Sequence, residues 1–218
     1  MIRHKSNKNL TLHFDPLYEG LPIQEDKGPF ICEYLHRLHH TMNRAISQYR
    51  EVFAFRCDLR LPASCKRQDY RNKNEVIVRF IESFKAKIRH NRERALQGNK
   101  YAHESTVRYV WTRETGQHGR PHYHLVIFLN KDAFCALGKF ELGKDNIFNR
   151  LNQAWASALE ITLKDAVGLV EIPRNAHYHL HREDQASIEA LFYRASYLCK
   201  AATKTYGDGV HGFGASRI

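Results

Sequence analysis

The sequence predicts an α+β fold: a central antiparallel β-sheet with helices packed on it. Three observations lead there. Residues 51–61, 105–115 and 122–130 read as strands, and the turn GQHGRP joins the last two as a hairpin. Four longer segments repeat their apolar residues at three and four. Strands and helices do not alternate in the strict order of a parallel sheet.

Residues 1–28 hold no clear period and carry turn signals at Pro16, Gly20, Pro22 and Gly28, so they are expected to be an irregular lead-in. From Pro29 to about Gln48, Ile31, Leu35, Leu38, Met42, Ala45 and Ile46 mark an amphipathic helix. EVFAFRCDLRL follows with strict alternation. Phe53, Phe55, Cys57, Leu59 and Leu61 face one way, and Arg56, Asp58 and Arg60 the other, as in a half-buried strand that Pro62 stops. A helix over about 74–96 buries Ile77, Phe80, Ile81, Phe84 and Ile88, with Lys and Arg behind. In the hairpin, Val107, Tyr109 and Trp111 share one face and Arg108, Thr112 and Glu114 the other. Asp145 is the expected N-cap of a helix bearing Ile147, Phe148, Leu151, Trp155 and Leu159. Residues 167–173 suit a short strand. The histidines of HYHLH (177–181) have no apolar run behind them and read as loop residues. A last helix spans about 185–203 before a glycine-rich tail, 207–218. No repeat or linker divides the chain, so residues 29–206 are expected to form one domain.

Thirty-four Lys and Arg against 23 Asp and Glu give a net charge of +11 on 218 residues. Such a surface attracts polyanions, nucleic acid first among them. No apolar run reaches the roughly 20 residues of a membrane span, and none near the start resembles a signal peptide. The five cysteines are scattered, odd in number and never spaced Cys-x-x-Cys. That argues against a disulfide scaffold or a cysteine zinc ribbon and for a soluble, reduced, cytoplasmic protein.

His122 and His124 stand two apart on a strand, so both imidazoles face one side. The buried run LVIFL anchors them. Glu114 lies on the neighbouring strand. In a hairpin turning near Gly119 it falls opposite His124 or nearly so, and an even register puts all three on one face. Two imidazoles and a carboxylate leave open positions on a metal for substrate oxygens. The mixed set suits Mn²⁺ or Mg²⁺ and leaves zinc open. With 14 histidines in the chain, a polar strand end is the plainer reading of the pair alone.

On the last helix Ile188, Leu191, Phe192, Ala195, Leu198, Cys199 and Ala202 form the core stripe. Tyr193, Tyr197, Lys200 and Lys204 cluster almost opposite. A tyrosine can attack a DNA phosphodiester and store the bond energy in a phosphotyrosine. Its phenol, with a pKa near 10, then needs a metal or cation to help. A second tyrosine one turn away permits a second cleavage. A solvated helix face with snorkelling lysines is the alternative.

PHYHLVIFLN and YRASYLCK together resemble the HUH endonucleases, the rolling-circle replication initiators and relaxases. Their hallmark is His-hydrophobe-His on a strand and one or two tyrosines on a later helix; here Tyr123 takes the hydrophobe's place. More closely, FAFRCDLRLP, RYVWTRETGQHGRPHYHLVIFLNKDAF and FGASR resemble the YagK/YfjJ family, grouped with the inovirus gene-two replication proteins. The resemblance covers most of the chain from about residue 30. It implies a ferredoxin- or RRM-like palm, a metal (Mn²⁺ or Mg²⁺) on Glu114, His122 and His124, and Tyr193 and Tyr197 as nucleophiles. Lys200 would be a charge partner, and its place beyond the tyrosine pair departs from the one-tyrosine pattern. Arg56, Arg120 and Lys204 are candidate DNA contacts, and Asp58 and Arg60 could contribute to the site or to DNA contact. The implied activity is single-strand nicking and rejoining that initiates replication of a phage, prophage or mobile element. The partner would be single-stranded or melted origin DNA, with no small-molecule substrate and no membrane. No Walker motif is present, so a helicase would come from the host. The rival expectations are a DNA- or RNA-binding regulator that kept the fold without the chemistry, and a phosphodiesterase that uses water.

Overall fold

The computed structural model describes residues 2–63, 74–116, 120–204, 206 and 210–217. The turn near Gly119, Cys65, Gly207 and Gly209 lie outside the described residues. The fold is α+β: a six-stranded sheet with every pairing antiparallel, carrying two helices on each face.

The centre of the sheet is β6 (Glu51–Arg60) beside β8 (Pro121–Asn130), which pairs in turn with β7 (Arg108–Thr115). β6 was expected to be half-buried, but both its faces are covered: Val52, Ala54 and Arg56 are as inaccessible as Phe53 and Phe55. On one face α2 (Glu75–Gly98) and α3 (Ile147–Leu159) pack over Phe53, Phe55, Leu59, Trp111, Leu125 and Ile127. Trp155 of α3 is fully buried there, and its indole N–H donates to the Arg60 carbonyl at 2.8 Å. Each such large side chain contributes about 1.5–3 kcal/mol of burial. On the other face α1 (Cys32–Gln48) and α4 (Gln185–Ser196) cover Val52, Ala54, Val110, Val126 and Phe128.

Six features differ from the sequence expectation. The lead-in carries short strands: β1 (Ile2–Arg3), β2 (Thr11–His13), β3 (Leu17–Tyr18) and β4 (Leu21–Pro22). With β5 (Phe30–Ile31), β1 and β2 form a small second sheet, too short to show a period. β9 is only Val170–Glu171. The histidines of 177–181 form β10 (His177–His181), not a loop. Pairing with residues 51–55 satisfies the backbone groups on the free side of β6 and buries Leu180. The cap of α3 is Asn146, whose side chain accepts from the Asn149 N–H, while Asp145 pairs with Arg150. The glycine-rich tail adds an edge strand, β11 (Phe213–Ala215), to β7.

The sixth difference bears on the candidate site. The last helix does not run to residue 203. α4 stops at Ser196, tightens into a 3₁₀ turn over Tyr197–Cys199, and Lys200 is extended and bridged to Phe30. Helix ends leave carbonyls unpaired. Here buried Gln24 supplies the partners: its amide nitrogen donates to the carbonyls of Tyr193 and Arg194 at 3.0 and 3.1 Å. Its own backbone N–H donates to Ser196 Oγ, and the Ala201 N–H donates to the Pro29 carbonyl. The lead-in therefore fixes where the tyrosine helix ends.

Two substitutions test these contacts. A Cβ at Gly214 would meet the Trp111 indole at 2.5 Å, so Gly214→Ala is expected to cost about 1–3 kcal/mol in denaturant unfolding. Gln24→Leu removes the partners of two helix-end carbonyls and is expected to destabilise by about 1–3 kcal/mol. An unchanged unfolding midpoint in either variant would contradict the corresponding contact.

Candidate metal centre

The even-numbered face of β6, β8 and β7 is apolar where α1 and α4 cover it and becomes polar at one end. There the register sets Asp58 opposite His124, Arg60 opposite His122, Thr112 opposite His124 and Glu114 opposite His122. The expected parity holds, shifted by two residues: Glu114 faces His122 directly, not His124. Both fall on one face because the sum of paired numbers is even.

One donor atom from each of Glu114, His122 and His124 lies within 4.8 Å of the others. The Nε2 atoms of His122 and His124 are 3.1 Å apart, and Glu114 Oε2 is 3.6 Å from His124 Nε2. Two nitrogens bound to one ion at about 2.1 Å in adjacent positions lie about 3 Å apart, so the imidazoles suit a shared cation. Glu114 and His124 are buried and His122 half-buried, which screens the group from bulk water. The group could hold a metal ion.

Neighbouring residues tune it. Asp58 Oδ1 sits 2.8 Å from His124 Nδ1, so a carboxylate holds the far side of the ring and leaves Nε2 for the centre. Asp58 was expected to contribute to the site or to DNA contact; its side chain is turned to His124. Burial would lower the His124 pKa, but Asp58 and Glu114 outweigh it and raise the pKa above its ordinary value. His122 is lowered, first by burial and then by the charge of His124. Burial would raise the Glu114 pKa, but His124 and Lys204 more than offset this and hold the group as a carboxylate.

Lys204, expected on the open face and against DNA, is instead fully enclosed, with Nζ 3.0 Å from Glu114 Oε1. Lys200 is buried as well, 3.4 Å from Glu114 Oε2. The break at Ser196 turns both lysines inward, where an unbroken helix would have left them outside. Glu114 keeps Oε2 toward the histidines while Lys204 takes Oε1.

The structure separates the two tyrosines. The ring of Tyr197 lies edge-on to His124, with centroids 5.9 Å apart. Lys200 Nζ stands 3.5 Å over it, and the Arg56 guanidinium is 5.7 Å from its centroid. Arg56 is nearly inaccessible, with Nη2 3.5 Å from Asp58 Oδ1. Tyr193 sits one turn earlier and is 45% exposed. Beside the histidines opens a cleft of about 550 Å³ lined by Asp58, Arg60, Arg120, His122, His124 and Leu169. Of the residues expected against DNA, Asp58, Arg60 and Arg120 border this cleft, and Arg60 also pairs with Glu171. Tyr123, between the two histidines, points to the opposite face and wedges between Trp111 and Trp155. Sequence reasoning missed Gln24, and it named Asp58 as a possible part of the site without giving it His124 as a partner. The even positions of 58 and 124 on neighbouring strands were the only signal for that partnership.

No described helix is long and apolar enough to cross a membrane. No solved structure matches the chain. Two proteins of Escherichia coli strain K12 are similar to it. The uncharacterized protein YagK is 32% identical over 203 residues, covering 89% of this chain and 97% of its own length. The uncharacterized protein YfjJ is 30% identical over 200 residues, covering 87% and 96%. The model of the YagK/YfjJ C-terminal domain matches residues 15–216, with both histidines, Glu114 and both tyrosines inside it, and the chain belongs to that family.

Proposed function

We propose that this chain is a metal-dependent DNA nicking and strand-joining enzyme of the HUH type, acting at the start of rolling-circle replication of a phage, prophage or mobile element. The single observation that carries the reading is the approach of the Tyr197 ring to His124, beside the convergent donor atoms of His122 and Glu114. Glu114, His122 and His124 would hold the cation, Mn²⁺ or Mg²⁺. When bound, it supplies positive charge to the non-bridging oxygens of a phosphodiester.

The chain's own residues do the rest. The Tyr197 oxygen forms a bond to phosphorus as the bond from phosphorus to the 3′ oxygen breaks. The phenolic proton is given up, and the departing 3′ oxygen takes one. The product is a 5′-phosphotyrosine and a free 3′-hydroxyl, and the reverse step reseals the strand. Lys200 and Arg56 flank the Tyr197 ring, and their positive charge would counter the charge that develops on the phosphoryl group in the transition state. Asp58 orients His124. Arg60 and Arg120 on the cleft would meet the strand's phosphates.

A second reading draws on Lys200 and Lys204, which neutralise Glu114 without a metal. On it the chain binds nucleic acid and cuts nothing. Equal DNA binding and no cleavage by both the parent and Glu114→Ala would favour it.

Incubation of origin hairpin oligonucleotides with Mn²⁺ should give a covalent protein–DNA adduct on denaturing gels. Tyr197→Phe is expected to abolish the first adduct, a loss of at least about a hundredfold, and Tyr193→Phe to keep it. An adduct that persists in the double variant would remove both tyrosines from the mechanism.

The rate should also depend on pH. Ligand histidines must be neutral to bind metal. The raised pKa of His124 means its proton leaves only above the ordinary imidazole value near 6.5. The single-turnover rate is therefore expected to fall as pH drops, with a midpoint above 6.5 at limiting metal. A rate flat from pH 8 down to about 6 would contradict this assignment.

A further inference from the structure

On the opposite face of the sheet, at its other end, α2 and α3 enclose a small concavity of about 190 Å³. Lys87, His90, Arg94, Lys144 and Arg150 line it, and Asp145, paired to Arg150, is the one acidic residue in its wall. A charged helix face is usually a solvated one, and three observations set this one apart. The acidic residues on the same surface are engaged elsewhere or at its rim: Glu82 with Lys85, Glu93 with Arg89, and Glu141 3.9 Å from Lys144. Among the described residues no carboxylate pairs with Lys87 or Arg94.

The cations are also crowded at a cost. Arg92 and Arg150 both stand over the Phe134 ring, at 4.4 and 6.0 Å from its centroid, and Arg150 is buried. Burial and then their mutual repulsion lower the pKa of Arg92. Of the two, Arg150 also lines the concavity, whose wall sets Lys87, Arg94, Lys144 and Arg150 against Asp145, an excess of positive charge that favours an anion.

The third observation is an exposed aromatic ring on the loop that also carries Lys144; it packs on the Phe148 ring with centroids 4.9 Å apart. Phe140 is 58% exposed on the loop that leads into α3. That loop is fastened, not loose: Asn146 donates to the Lys139 carbonyl, Asn149 donates to the Glu141 carbonyl, and the Gly143 N–H donates to Asn149 Oδ1. Cations in a concavity and an exposed aromatic ring on the loop that carries one of them are the two components of nucleic-acid binding: phosphate contact and base stacking.

We propose that this concavity is a second DNA site, which grips the backbone of the segment flanking the strand in the metal-centre cleft. The proposal deepens the function argued above, because it takes from it that DNA enters that cleft. From His122 to Asn130, where β8 ends, the strand runs roughly 27 Å at 3.4 Å per residue. A flank of about eight or more nucleotides beyond the cleft spans that length at 3.4 Å each. A shorter oligonucleotide reaches only the metal-centre cleft.

The test uses the full chain without metal, the triple variant Lys87→Ala, Arg94→Ala, Lys144→Ala, and two labelled DNAs. One is a hairpin of about 40 nucleotides with a duplex flank, the other a single strand of about 8. Affinity is read by fluorescence anisotropy across a salt series. For the long DNA, the slope of log affinity against log salt should fall by about 2 in the variant, with roughly tenfold weaker binding. The short DNA should bind both proteins alike. An unchanged slope on the long DNA, no binding of it by the parent, or an equal loss on both lengths would overturn the proposal. The single variant Arg94→Glu, on an exposed residue, repeats the comparison should the triple variant fold poorly. Adduct formation with Mn²⁺ is scored separately. Length-dependent loss without any adduct leaves the second site standing and sinks the nicking reaction; adduct formation with an unchanged slope does the reverse.

Discussion

A carboxylate and two imidazoles drawn together at the edge of a nonpolar sheet is the constraint around which this molecule is organised. Left alone, such a group is costly: Glu114 is buried, and taking an anion out of water costs several kcal/mol unless it is paired. The protein meets that cost from three sides. Strand pairing brings His122 directly across from Glu114, the end of α4 sends Lys200 and Lys204 inward, and Asp58 steadies the second imidazole from behind. Each of these depends on a different part of the chain, so the centre ties together β6, β7, β8 and the segment after α4.

That dependence explains the odd shape of the last helix. A helix continued through residue 203 would have kept Lys200 and Lys204 on its outer face. Instead the carbonyls near its end find Gln24, the chain tightens, and Lys200 pairs in extended form with Phe30. The small N-terminal strands thus act at a distance in sequence: they hold the end of α4 in place, and that end sets Tyr197 against His124. The proposed chemistry needs this meeting of a late aromatic ring with mid-chain imidazoles, whichever strand of DNA is cut.

Much of this was legible in the residues because short-range periods carry it. Alternation along 51–61 and 122–130 gave the two faces of β6 and of β8; that Arg56 and Asp58 share a side with His122 and His124 followed from the pairing of these strands. The parity argument survived a two-residue error in the hairpin register, since parity alone decides the face. What stayed hidden was long-range. β10 has a weak alternation of its own and exists because the free edge of β6 needs a partner. Gln24 and Tyr193 are 169 residues apart, and no local pattern announces their hydrogen bond. The inward turn of Lys204 follows from that same tertiary contact, so an ideal helical wheel placed it on the wrong side. The basic residues of α2 were visible, but their convergence on a concavity depended on how α3 docks.

The metal centre is the claim on which the proposed chemistry stands, and Mn²⁺ binding followed by electron paramagnetic resonance tests it most directly. The parent protein should quench the free-ion signal up to about one equivalent. His122→Ala and Glu114→Gln, folded by circular dichroism, should leave that signal free at the same concentrations. Uptake that is the same in the parent and both variants would contradict the account.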